Sequence, residues 1–279
     1  MTPRALLTLL VLSATLALLP APAFAWGATG HCVITNKAVD SLPPELRSFF
    51  EMHRTAIVQG SVVPLEWLAK DPNERRNHFI YLDRYGRFPF SDLPRDYRAA
   101  VRRYTQRTIN ANGTLPWQIG VYSEKLTNAF KAGNWDEARQ MAALLAHYVA
   151  EAHDPFNTTE NFDGHLSGQM NLNLRFGTSL VDRYSLFFFV RPNDAVLVSD
   201  PTDRAFELTL NAHSWLENIM LADVRARRGL SDYTDDYYDR FYNQAGAILI
   251  RQMTDAATEV GSYWLSAWIH AGRPQMPSR

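Results

Sequence analysis

The chain has 279 residues, 46% of them hydrophobic and 20% charged, with 28 basic against 29 acidic side chains for a formal net charge of −1. That length and apolar content suit one large core, and the near-neutral balance excludes bulk attraction to nucleic acid or anionic lipid. A single cysteine, Cys32, excludes an intramolecular disulfide, so stability has to come from packing.

In chain order, residues 1–25 carry one positive charge at Arg4, an apolar run from Ala5 to Leu19 broken by Thr8, Ser13 and Thr15, then Pro20, Pro22 and small residues. This is the three-part pattern of a secretory signal peptide, and the run is shorter than the roughly 20 residues a membrane span demands. Cleavage after Ala25 is expected, giving an exported protein of residues 26–279 with no transmembrane segment and Trp26 at its N-terminus. A free α-amine titrates near pH 8, so at neutral pH Trp26 can offer a nitrogen lone pair that a peptide nitrogen cannot.

Helical signals dominate beyond residue 30. Val33, Ile34, Ala38 and Val39 recur at helical spacing, and Cys32 on this segment reads as a small buried side chain. Pro43-Pro44 suits the first turn of a second helix running to Ile57. Further helices are predicted from Pro94 to Ile109, from Pro116, from an Asn134 N-cap to His153, from Thr202 to Arg228 and from Asp235 to His270. Polar loops connect them at Gly60–Asn77, Tyr85–Leu93 and His153–Gln169. No linker or internal repeat divides the chain, so one all-α, multi-helix domain is expected.

Within the helix ending near His153, His147 and Glu151 stand four apart, which places both side chains on one face. Their flank is apolar (Ala142 to Ala146, Val149, Ala150), and a buried Glu needs a partner, either a hydrogen-bonding histidine or a cation. His78, in Asn77-His-Phe-Ile-Tyr-Leu-Asp83, reads alone as a packing histidine. It gains weight only beside Trp26, His31, His147 and Glu151.

These pieces in order, Trp26-Gly and Gly30-His31, then His78-Phe with Asp83 after it, then His147-x-x-x-Glu151-x-His153-x-Pro155, resemble the zinc-dependent phospholipase C / P1 nuclease superfamily. The resemblance covers most of the mature chain. It implies an all-α domain with a zinc cleft, in which Trp26 (amine and carbonyl) and His31 hold one zinc, His78 and His147 a second, and Glu151 bridges them. It also implies an acid upstream of His78, for which Asp71 and Glu66 are the two candidates, as ligand and as orienter of the attacking water. The bridging residue is usually Asp, and Glu151 is one methylene longer.

The third zinc site of that family has no counterpart here. Its ligand positions fall on Asn157, Asn173 and Gly177, and neither Asn nor Gly replaces imidazole or carboxylate at zinc. Two zinc ions per chain are therefore expected, with His153, Asp163 and His165 nearby and Arg175 as a candidate replacement cation. The activity implied is that of a phospholipase C-like or S1/P1 nuclease-like phosphodiester hydrolase. A helix bearing Arg95, Arg98, Arg102, Arg103 and Arg107 can meet phosphates or simply face solvent, so phospholipid and nucleic acid both stay open as substrates. A monomer is expected. The competing reading is a degenerate, zinc-stabilised binding protein with little catalysis.

Overall fold

The computed structural model describes residues 26–277, so the expected leader and its cleavage lie outside the described residues. About 70% of the structure is helical, and there is no strand among the described residues. The Gly27 carbonyl accepts from the His31 amide at 3.2 Å and opens α1 (Ala28–Ala38). The expected helix to Ile57 is instead two, α2 (Pro44–Met52) and α3 (Arg54–Gly60), bent at His53. Arg54 fixes that bend by bonding Glu51, Asp40 and the Asn36 carbonyl. The loop after it contains a short α4 (Val63–Trp67) and a 3-10 turn over Arg75–His78.

The predicted Pro94–Ile109 helix also divides, into α5 (Tyr97–Tyr104) and α6 (Gln106–Asn112). Thr105 between them has a left-handed φ of 69°, and its hydroxyl oxygen caps α6 by accepting from Thr108 N. Helices α7 (Leu115–Ala132) and α8 (Trp135–Glu151) form a hairpin. Its turn uses Gly133 at φ 64° and the Asn134 cap, whose side chain accepts from Glu137 N at 3.3 Å. A π-helical segment, Leu174–Ser179, runs into α9 (Leu180–Tyr184); it was not visible in the hydrophobic pattern. The segment read as one helix from Thr202 is α10 (Pro201–His213) followed by α11 (Leu216–Ala226). The last helix, α12 (Asp235–His270), has the predicted ends.

Residues 259–267 of α12 are buried on every side, so this helix is the axis of the domain, with α1, α7, α8 and α11 packed around it. Trp264 stacks on Phe50 with ring centroids 4.4 Å apart and donates from Nε1 to the Ala142 carbonyl at 3.0 Å. Gly261 permits the close approach of α12 to the C-terminal end of α1 and the turn after it: a Cβ there would stand 1.9 Å from Ser41 Oγ. Helix α1 also packs directly on α8, and the candidate site lies between the first turn of α1 and the last turns of α8.

Candidate metal centre

His147 and Glu151 occupy the last two turns of α8, His31 the first turn of α1, and His78 the end of its 3-10 turn. Their polar atoms converge on one carboxylate oxygen. Glu151 Oε1 lies 3.3 Å from His31 Nε2, 3.3 Å from His78 Nδ1 and 3.4 Å from His147 Nε2. His78 Nδ1 and His147 Nε2 are 3.1 Å apart, and the His31 and His147 rings stack with centroids at 4.0 Å. All four side chains are nearly sealed from solvent: His31 and His147 at 0%, Glu151 at 2% and His78 at 6% exposure.

Hydrogen-bond accounting makes this cluster short of donors. His147 Nδ1 faces the Ser61 carbonyl at 2.8 Å, and because a carbonyl only accepts, that nitrogen carries the proton and Nε2 presents a lone pair. His78 Nε2 faces Glu74 Oε1 at 3.0 Å and donates to it, so in a neutral ring Nδ1 also presents a lone pair. Neither ring nitrogen of His31 completes a hydrogen bond. Lone pairs from His78, His147 and Glu151 therefore point at one spot, which only a proton or a cation can satisfy. A tetrahedral zinc with bonds of about 2.0–2.2 Å sets neighbouring donors about 3.3–3.6 Å apart. The three separations from Glu151 Oε1 match this, and the 3.1 Å between His78 and His147 is shorter. His31, His147 and Glu151 form a metal-competent group with donor atoms within 4.8 Å of one another.

The electrostatics follow from the same contacts. Burial opposes ionisation of Glu151, as does its place at the negative end of the α8 dipole. The facing His31, His78 and His147 nitrogens outweigh this and hold the carboxyl well below the usual carboxylate range. His147 is pushed well below the usual imidazole value by burial, then by the two neighbouring histidines, and stays neutral. Burial also works against protonation of His78, but Glu151 and Glu74 together raise it.

The other expected residues are distributed unequally. Trp26 is fully buried, and its indole donates to the Ala150 carbonyl at 2.8 Å, which ties the expected N-terminus to the helix turn carrying Glu151. Glu66 is an exposed partner of Lys70 at 3.6 Å, and Asp71 is exposed and accepts from Asn73 N at 2.8 Å; neither is brought to the histidines. The acid that reaches His78 is Glu74, which sequence reading missed. It precedes the 3-10 turn that carries His78, where spacing alone does not set side-chain direction. Burial works against its ionisation, yet bonds from His78, Tyr148 and Asn77 leave it below the usual range.

Asn157 donates from Nδ2 to both Glu151 Oε2 and the Glu151 carbonyl, so it supports the ligand instead of binding at a third site. Arg175 is neither a surface residue nor a free cation. It is buried, pairs with Asp223 at 3.0 Å and donates to Tyr237 and to the carbonyls of Gln169 and Met170. His165 and Asp163 pair with each other, and His153 is buried against the Val149 carbonyl at 2.9 Å. Cys32 is half-buried instead of lying in the core, where burial still raises its thiol. In the arginine stripe Arg95 pairs with Asp203 and Arg103 with Asp92, while Arg98, Arg102 and Arg107 face solvent.

No protein-family model and no curated protein matches this chain. Solved structures do. Alpha toxin from Clostridium absonum superposes with a TM-score of 0.53 at 14% identity over 88% of this chain and 65% of that one. The fold resembles that of the clostridial alpha-toxins. Clostridium perfringens alpha-toxin from avian strain SWCP gives a TM-score of 0.52 at 14% identity and the same coverage of both chains. This alpha-toxin-like chain spans 65% of the length of those toxins, and at such identity the likeness is one of fold. No described helix is long and apolar enough to cross a membrane.

Proposed function

We propose that this chain is an exported, monomeric, metal-dependent phosphodiester hydrolase whose centre is built from His31, His78, His147 and Glu151. The observation that carries this reading is the convergence of three imidazoles on one Glu151 oxygen at about the spacing a zinc ion requires. The order of those residues along the chain and the alpha-toxin-like fold support it. We propose one ion at this cluster, where the described donors meet at Glu151 Oε1; Oε2 accepts from Asn157 and keeps a second lone pair. The Trp26 amine and carbonyl remain the groups that would complete a second ion after cleavage, and Asp71 and Glu66 stand outside the proposed ligand set.

A divalent ion held there supplies a Lewis acid for a phosphoryl oxygen and acidifies water. The chain's own residues prepare the place. Ser61 fixes the His147 tautomer, Asn157 restrains the Glu151 carboxylate, and burial strengthens every charge contact by excluding water.

One observation favours the second reading, a metal-stabilised protein with little catalysis. The donors are sealed from solvent, as in structural zinc centres, whereas catalytic centres keep a position open. A cavity of about 670 Å³ reaches Asn77 and Gln118, but none of the four donors lines it. The deciding experiment is elemental zinc analysis on protein whose N-terminal residue has been identified, with hydrolysis of bis(p-nitrophenyl) phosphate assayed before and after chelation. One zinc with chelator-sensitive turnover supports the hydrolase, and phosphatidylcholine vesicles against single-stranded DNA then separate the substrates. Zinc without turnover supports the second reading, and absence of zinc sinks both.

A further inference from the structure

We infer that Glu74 is a positioning residue that fixes the orientation and tautomer of His78 so that Nδ1, and not Nε2, faces Glu151. Glu74 is itself buried, at 7% exposure, and its carboxylate accepts three hydrogen bonds from this chain. Oε1 accepts from His78 Nε2 at 3.0 Å and from the Tyr148 hydroxyl, and Oε2 accepts from Asn77 Nδ2 at 2.9 Å. Asn77 is held in turn by the Thr114 hydroxyl, which donates to its Oδ1 at 3.0 Å. Three accepted bonds thus hold the carboxylate in place beside His78. It acts through the imidazole and does not enter the centre.

The geometry explains why a 3-10 turn can carry a ligand. His78 comes from a four-residue turn in a loop, not from a long helix, and its ring packs edge-on against His147 and Tyr148. Tyr148, one residue after His147 on α8, reaches Glu74, so a single helix sets both the ligand His147 and the support for His78. Imidazoles that bind metal ordinarily donate their other N–H to such a partner, and loss of that partner lowers metal affinity by about 10–100-fold. The affinity part of this inference rests on the proposed metal centre; the tautomer part does not.

The test is 15N NMR of the histidine side chains in metal-free protein, together with zinc titration calorimetry and the absorption spectrum of the cobalt-loaded form. In the unsubstituted protein His78 Nε2 carries a proton. In Glu74→Ala this resonance moves towards an averaged or unprotonated value, and zinc affinity falls about 10–100-fold. Glu74→Gln, which keeps an acceptor oxygen, retains the Nε2 proton, stays within a few-fold in affinity and leaves the cobalt spectrum unchanged. An unprotonated Nε2 in the unsubstituted protein overturns the inference without any variant having to fold. So does a changed cobalt spectrum in Glu74→Gln, because that would make Glu74 a ligand. If the protein binds no zinc but His78 responds to Glu74→Ala as expected, the metal centre fails and the positioning role stands.

Discussion

Two buried polar clusters sit in this domain, and they differ in whether their hydrogen bonds close. Around Arg175, six groups satisfy one another: the guanidinium meets Asp223, Tyr237 and two carbonyls, while the Gln169 amide donates to Asp223 Oδ2 at 2.7 Å. Nothing is left for a ligand, and the cluster locks the π-helical segment to α11 and α12. Around Glu151 the count fails, because three imidazoles and a carboxylate present more lone pairs than protons. A buried charge is therefore a poor guide to function until its partners are counted.

The largest effect expected from breaking this contrast is on the closed cluster. Arg175→Ala strands Asp223 and is expected to cost about 3–5 kcal/mol, read as a fall in chemical-denaturation midpoint. Zinc content of the folded fraction should not change, and zinc loss would make the two clusters one.

The open cluster is expected to answer to metal instead. Saturating zinc at about 1,000 times its dissociation constant adds about 4 kcal/mol to unfolding free energy, and His147→Ala or Glu151→Gln should abolish most of that gain. An equal thermal shift by zinc in the variants would show that the ion binds elsewhere.

Without metal, pH should sharpen the difference. His147, His153 and His213 have lowered values, each chiefly through burial, so below about pH 6.5 the unfolded chain takes up protons that the folded one refuses. Stability is then lost as pH falls through that value. His78 is raised, so its contribution is present below about pH 6.5 and is lost as pH rises through its folded value. Asp154, raised well above the usual carboxyl value by burial, also lowers stability as pH rises from about 4. Metal-free protein should have its maximum near pH 6.5 and lose stability on both sides; a denaturation series across pH 5–8 checks this. Stability that keeps rising as pH falls below about 6.5 would mean the three histidines are not held neutral.

The smallest effect is expected at the two exposed acids. Asp71→Ala and Glu66→Ala should each stay within about 0.5 kcal/mol and leave zinc stoichiometry unchanged, as measured by calorimetry. A tenfold loss of zinc affinity in either would return that residue to the ligand set.

The candidate site was legible where helix periodicity applies. His147 and Glu151 are one turn apart on α8, and their apolar flank already required a partner for the carboxylate. The choice between Asp71 and Glu66 was not legible, because both lie in the irregular stretch between α3 and His78, where no period links sequence distance to direction. Glu74 lay in the same stretch, and its contact with Tyr148 spans 74 positions. Of the three predicted helices that divide, the one from Pro94 to Ile109 failed for a related reason. Thr105 adopts a left-handed conformation that threonine rarely takes, and composition gives no warning of it.

By itself the sequence determined the all-α class, the predicted ends of α12, the Asn134 cap and the pairing of His147 with Glu151, since these depend on local propensity and a 3.6-residue period. Only the tertiary structure decided that His31 and His78 meet that pair and that Asn157 takes one Glu151 oxygen. It also decided that Arg175 is consumed inside the fold. Those outcomes depend on which donors and acceptors remain unpaired once distant segments are packed and water is excluded.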